Sequence, residues 1–213
     1  MKRARTGYHH GDLRNALVEA ALKRLQESGL EDFSLREVAR IVGVSPNAAY
    51  RHYANKSALL TAVAGDGFVR LGQRIQRAQA AGARGASATE IAMGRFRSAG
   101  RAYVEFAAEH RVLFSVMQGE YGLRALVPVE GQEAPASPLE ALSAALDALV
   151  EAGALPNTAR EGGAIKVWSL LHGFAILSGE DGPVEGTRAE RTRLLEGVID
   201  LALDGLRGGA ASA

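Results

Sequence analysis

The chain has 213 residues, of which 47% are hydrophobic and 23% charged, values close to those of ordinary folded proteins, so a disordered or fibrous class is excluded. A single domain takes roughly 100–150 residues, which leaves room for two functional parts. The absence of cysteine excludes disulfides, thiolate catalysis and zinc-finger ligation. No apolar run approaches the roughly 20 residues that span a bilayer, and the basic start MKRARTGYHH lacks the apolar segment of a signal peptide. A cytoplasmic protein with no membrane partner is therefore expected.

Net charge is only +1, but it is unevenly spread. The first sixty residues hold ten Lys and Arg against six Asp and Glu, and the rest hold fifteen against eighteen. A basic head on a mildly acidic body suits a protein that meets a polyanion at one end.

Apolar residues recur at spacings of three and four, and no alternating β-branched stretch competes, so an all-α fold is predicted. The first helix runs from His10 to Ser28, with Leu13, Leu17, Ala20, Ala21 and Leu25 on one face and Gly29 as its stop. Five segments fit the capping box, in which a hydroxyl and a carboxylate each satisfy an orphan amide of the first turn: Ser34–Glu37, Ser87–Glu90, Ser137–Glu140, Thr158–Glu161 and Thr187–Glu190. They predict helices near 34–42, 87–109, 138–152, 158–178 and 187–207. Ser45 and Pro46 open a further one at 45–52, and another occupies about 55–80, where Gly65, Gly67 and Gly72 imply either a pliable middle or close packing. Segments 80–87 and 127–137 read as irregular joints, and the GGAASA end as a disordered tail. The resulting domains are 1–54, a connecting helix 55–80, and a second domain 81–208, followed by the tail 209–213.

The segment SLREVARIVGVSPNAAYRHYANK carries the function. Leu35, Val38, Ala39 and Val42 form the inner face of one short helix, Gly43 permits a tight turn, and Val44 anchors it. Ser45 then caps a second helix, with Pro46 as its preset first residue. Ala49 and Tyr53 point inward, leaving Pro46, Asn47, Ala48, Tyr50, Arg51 and His52 at or near the surface. Such a helix suits the DNA major groove, because Asn pairs bidentately with adenine, Arg or His meets guanine or phosphate, and small apolar groups meet the thymine methyl. The competing account is an ordinary two-helix corner with a solvated face. Lys56, one residue after an Asn55 cap, is placed for a phosphate clamp or is simply a solvated charge.

The stretch GVSPNAAYRHYANKSALL resembles the tetracycline-repressor-like (TetR) regulators, with their Gly-Val-Ser turn, short helix holding Tyr-x-His-Tyr, and a Lys opening the next helix. GYHHGDLRNALVEAAL, Gly29 and Phe33-Ser34-Leu35 extend the likeness over residues 8–65. WSLLHGFAIL (168–177) is similar to a Trp-x-x-x-His-Gly segment in one subgroup's regulatory domain. The resemblance implies that Ser34, Tyr50, His52 and Lys56 contact phosphates, Tyr50 also a base, while Pro46, Asn47 and Ala48 face bases; Ala48 departs from the common Thr or Gly. Ser45 and Arg51 complete the candidate DNA-contacting set. Lys2, Arg3 and Arg5 form an N-terminal arm that either reaches phosphates or the minor groove or carries incidental charge. His9 and His10 diverge by about 100° around a helix and make no metal pair.

Helices 158–178 and 187–207 are apolar nearly all round, so one face should pack on its own domain and the other on a twin subunit in a four-helix bundle. A homodimer on a palindromic operator of double-stranded DNA is expected, its reading helices about 34–36 Å apart or a larger helical-turn multiple. Phe96, Tyr103, Phe106, Phe114, Met117 and Trp168 gather in the middle helices. They make either plain core or an apolar effector pocket, with Tyr103, His110 and His172 as polar members. The candidate ligand-binding residues are thus Tyr103, Phe106, His110, Phe114, Met117, Trp168 and His172, for a largely apolar small molecule. No cofactor or metal is expected. The chain has no HExxH, GxSxG or Walker-type match, so no enzyme is predicted. The resemblance implies a repressor released by its effector; the alternative is an activator or architectural protein without ligand control.

Overall fold

The computed structural model describes residues 10–30, 32–127, 137–179 and 182–208. The arm residues Lys2, Arg3 and Arg5, together with His9, most of the second joint and the tail 209–213, lie outside them. Ten α-helices and no strand occur among the described residues: α1 His10–Ser28, α2 Leu35–Val42, α3 Pro46–His52, α4 Lys56–Gly82, α5 Ala88–Glu109, α6 Arg111–Gln118, α7 Glu120–Ala125, α8 Pro138–Glu151, α9 Gly163–Leu177 and α10 Arg188–Gly208, with a 3-10 turn at Asn157–Arg160 before α9. No helix among these residues is long and apolar enough to cross a membrane.

The helix starts follow their caps. Ser87 and Ser137 each make the full reciprocal box. Thr187 does the same, its Oγ1 accepting from the Glu190 amide while the Thr187 amide donates to the Glu190 carboxylate. Ser34 accepts from the Glu37 amide. Thr158 is the exception, because the segment it opens is only the 3-10 turn. Gly162 at φ 66 follows, in the left-handed region that glycine enters without strain, and α9 starts after it, five residues later than Thr158 predicts. Helices α6 and α7 are also additions to the sequence expectation. The chain leaves α5 at His110 (φ −122, ψ 45), and Gly122 lies so close to the Met117 carbonyl that a Cβ there would sit 1.7 Å from its oxygen.

The described chain packs as two compact units. The first takes residues up to Gly67 together with 112–127, and the second takes Phe68–Arg111 with 137–208. The division falls inside α4, between Gly67 and Phe68, with Leu59 and Leu60 buried before it and Phe68 and Leu71 after it. In the first unit α1 packs on α2 and α2 on α3, around Leu17, Leu25, Leu35, Val38, Ala39, Ala49, Leu59 and Leu60. The Arg24–Glu37 ion pair at 3.0 Å ties α1 to α2. Gly67 faces α6 in this unit, where a Cβ would meet Met117 Sδ at 2.5 Å, so close packing is what that glycine permits.

In the second unit α5 packs on α8, α9 and α10, and α9 also on α8 and α10, around Phe96, Phe106, Leu146, Leu149, Leu171, Ile199 and Leu203. Its flank carries ion pairs of Arg97 with Glu196 (3.1 Å) and Asp200, and of Arg101 with Glu196. Arg74 of α4 grips Glu105 and Glu109 of α5. The Arg101 guanidinium hydrogen-bonded to Glu196, joined by Arg97, holds that carboxyl below the usual carboxylate range; Arg74 does the same to Glu109.

Candidate functional site

The sequence builds a reading head in the first unit by closing α2 tightly onto α3. Gly43 takes φ 79, ψ 28, and with the chain reversed there the Val44 amide donates to the Ala39 carbonyl at 3.0 Å. Ser45 at φ −67, ψ 149 caps α3, its Oγ accepting from the Ala48 amide at 3.2 Å. Ala49 (0% exposed) and Tyr53 (3%) form the inner side of α3 and its end. Pro46, Asn47, Tyr50 and Arg51 are exposed, and Ala48 and His52 half-buried. One contiguous face therefore offers an amide, a phenol, a guanidinium and an imidazole around small apolar groups.

Tyr53, at the end of α3, and Lys56, at the start of α4, are each held by residues of α1 or of the loop that follows it. The Tyr53 hydroxyl donates to the Arg14 carbonyl at 3.3 Å, and the Arg14 guanidinium lies 5.2 Å from the Tyr53 ring centroid. Burial pushes the Tyr53 phenol up, opposed by Arg14, so it stays a donor. Asn55 caps α4 by accepting from the Ala58 amide at 2.9 Å. Lys56, first in α4, donates to the Leu30 carbonyl at 2.8 Å and lies 5.6 Å from the Phe33 ring centroid. It thus ties α4 to the end of α1, on the side where Ser34 caps α2. Ser34 and Ser45 are exposed with their hydroxyls in the caps. All nine candidate DNA-contacting residues belong to this one unit. Sequence reasoning did not single out Arg36 and Arg40, both exposed on α2, nor Arg14 as the residue that seats Tyr53. Only their charge signalled them.

The candidate ligand residues are brought together in part. Trp168 Nε1 donates to the Tyr103 hydroxyl at 3.2 Å, and that hydroxyl lies 3.0 Å from His172 Nδ1. Indole N–H only donates, so the phenol oxygen accepts from Trp168, and the Tyr103–His172 hydrogen bond completes a chain of three side chains. Burial favours this neutral pairing: it pushes Tyr103 up to about 12 and holds His172 below its ordinary value. Phe106 and His110 make a separate ring contact with centroids 4.7 Å apart. Phe114 and Met117 are buried on α6 in the other unit.

A larger opening lies where no sequence signal pointed. A cleft of about 440 Å³ runs between α4, α5 and α8, lined by Phe68, Leu71, Gly72 and Ile75, by Gln76, Gln79 and Arg95, and by an alanine face of α8. Tyr103 and Trp168 line a void of about 30 Å³ that shares Ile75, Pro138, Ala141 and Ala145 with the cleft. The cleft falls within the range of small-molecule sites, about 300–1,000 Å³, and the void is water-sized.

A model of bacterial regulatory proteins of the tetR family matches residues 17–63, and one of the tetracyclin repressor-like C-terminal domain matches residues 96–202. No curated protein matches the sequence. Among solved structures, a protein with unknown function from Rhodococcus sp. RHA1 is 28% identical and similar over 95% of this chain and 99% of its own, with a TM-score of 0.73. A bacterial regulatory protein in the tetR family from Rhodococcus RHA1 is 25% identical, covering 91% of this chain and 96% of its own, with a TM-score of 0.61. The TetR family transcriptional regulator PfmR from Thermus thermophilus shares the fold at 22% identity, covering 89% of this chain and 98% of its own, with a TM-score of 0.57.

Proposed function

The chain belongs to the tetR family of bacterial regulatory proteins and is a DNA-binding transcriptional regulator, and from that premise we propose that it is a repressor released from a palindromic operator by a small, largely apolar effector. The observation that carries the ligand half of this proposal is the 440 Å³ cleft in the second unit, whose walls are mostly apolar. The DNA half is carried by α3, with Asn47 as the base-reading residue and Ser34, Tyr50, His52 and Lys56 as phosphate anchors. Ser45, Pro46, Ala48 and Arg51 complete the contact face. We also assign the chain to the subgroup with a Trp-x-x-x-His-Gly segment, a reading supported by the way Trp168 and His172 meet on Tyr103.

A palindrome needs two reading heads. On α9 and α10, Ile176 (53% exposed) and Leu201 (63%) stand in water together with Ile165, Leu170, Leu177 and Leu194. Covering these side chains with their copies on a second chain would remove that apolar area from water, which supports a four-helix interface through α9 and α10. Repression is then relieved through α4, which runs from the first core into the wall of the cleft. An effector with different affinities for the two placements of the reading heads shifts their populations, and it weakens DNA binding by the same factor by which DNA weakens its own.

The test is footprinting of the protein on the DNA upstream of its own gene, repeated with compounds that raise its melting temperature. A two-fold symmetric footprint that disappears with such a compound is expected. A footprint that persists with every stabilising compound would favour the activator or architectural alternative.

A further inference from the structure

We propose that the cleft takes an apolar-tailed carboxylate, its head at Arg95 and its tail running along α8 toward Trp168; this rests on the reading of the cleft as the effector site. The space exists because small residues meet there. Ala141, Ala144, Ala145 and Ala148 recur at i, i+3, i+4 and i+7, so α8 presents one alanine face, and across from it a Cβ on Gly72 would find no atom within 4 Å. Phe68, Leu71 and Ile75 form an apolar wall on α4. The alanine face lines the cleft from Ala141 to Ala148, about 10 Å at 1.5 Å per residue, a run that an extended apolar tail can follow.

The charge is placed at one end. Gly82 of α4 touches Gly94 of α5, and Thr89 of α5 donates to the Ala152 carbonyl just past α8 at 2.6 Å, so the C-terminal ends of α4 and α8 meet the start of α5. Arg95 follows Gly94 on α5 and lines the cleft from that end, and the lining also includes Gln79, three residues before Gly82, and Gln76 one turn earlier on α4. The acidic member of the lining is Glu140, whose carboxylate accepts from the Ser137 amide in the first turn of α8. No ion pair or hydrogen bond joins it to Arg95 among the described residues. The next arginines on α5 differ in this respect. Arg97 and Arg101 are committed to Glu196 and Asp200, whereas Arg95 has no hydrogen bond or ion pair among the described residues. A guanidinium recognises a carboxylate through a bidentate pair of hydrogen bonds between opposite charges, whereas an alcohol offers it one neutral acceptor and an ammonium group repels it.

The chain's single tryptophan reports on the other end. Trp168 lines the small void that shares four wall residues with the cleft, so a tail that reaches it alters the indole's surroundings. The full-length protein is titrated with decanoate, decanol and decylamine, following Trp168 fluorescence and melting temperature, with operator release measured in parallel. Decanoate should bind about tenfold or more tightly than decanol, an advantage that shrinks as salt is raised. Arg95→Gln should abolish that advantage while decanol binding is unchanged. Gly72→Leu, which fills the trough at a position free of neighbours, should weaken all binding without lowering the melting temperature of the unliganded protein.

Equal or tighter binding of decanol or decylamine, an unaltered decanoate preference in Arg95→Gln, or no binding by any of the three would overturn the proposal. Operator release by decanol as strong as by decanoate would discard the carboxylate and leave the effector reading standing.

Discussion

Alanine substitutions at Gly67 and Gly72, five residues apart on α4, should move stability in opposite directions. Each replacement removes the penalty of glycine inside a helix, worth about 1 kcal/mol. At Gly72 nothing opposes this gain, since a Cβ there would find no atom within 4 Å, and Gly72→Ala should stabilise by about 0.5–1 kcal/mol. At Gly67 the new Cβ would lie 2.5 Å from Met117 Sδ, 2.8 Å from Met117 Cγ and 2.9 Å from Leu113 Cδ1. Unstrained carbon contacts lie at about 3.5–4.0 Å, so Met117 and Leu113 must each withdraw by roughly 1 Å. Both are side-chain ends and can bend, but Met117 is 2% and Leu113 1% exposed, so they withdraw into occupied space.

Overpacking of this kind costs about 1–3 kcal/mol, which after the helix gain leaves Gly67→Ala destabilised by about 0–2 kcal/mol. Urea titration and thermal melts at one fixed protomer concentration measure both, because a dimer's stability depends on that concentration. For a chain of this length 1 kcal/mol corresponds to about 2–4 °C. Equal shifts in the two variants would show that the glycines serve the bend of the helix rather than its packing, and would refute the reasoning.

Other perturbations test separate parts of the account. Tyr53→Phe keeps the ring beneath Arg14 but loses the bond to the Arg14 carbonyl; it should cost about 0.5–1.5 kcal/mol in denaturant melts and weaken operator binding only through that loss. Glu109 and Glu196 have folded pKa values held below their ordinary range, so their contribution is fully present above that range and is lost as pH falls through the folded values. Glu196→Gln should therefore flatten the decline of melting temperature between neutral and acidic pH, and an unchanged pH slope would count against the α5–α10 ion pairs. Leu201→Glu with Ile176→Glu should give a folded monomer in sedimentation at micromolar concentration, with palindrome binding greatly weakened; an intact dimer would place the interface elsewhere.

Local chemistry made the head of the molecule legible and left much of the body unread. Ser45, Pro46 and Gly43 each specify a backbone conformation within a few residues, and the α2–α3 corner follows from them. Ser87, Ser137 and Thr187 do the same for α5, α8 and α10. Thr158 misled because Gly162 in the left-handed region interrupts the helix its box would open. Phe114 and Met117 share an apolar spacing with the aromatic residues of α5, but periodicity does not say which core a face joins; they went with Gly67. The cleft was invisible for a related reason. Its space is left by the alanines of α8 and by Gly72, which read as ordinary helix interior until they face the apolar wall of α4 across a gap. Lys56 was noticed for its charge, while its bond to the Leu30 carbonyl depends on a chain reversal that spacing does not encode.

The central claim is that α3 reads base pairs and that its flanks hold phosphates. It is tested most directly by measuring the affinity of the parent and of Asn47→Ala for an operator series in which each base pair is replaced in turn, at one salt concentration. The account predicts that Asn47→Ala loses about 1–3 kcal/mol of discrimination at one base pair in each half-site and keeps it elsewhere, while Tyr50→Ala weakens binding to every sequence alike. An Asn47→Ala profile that matches the parent at all positions would contradict it.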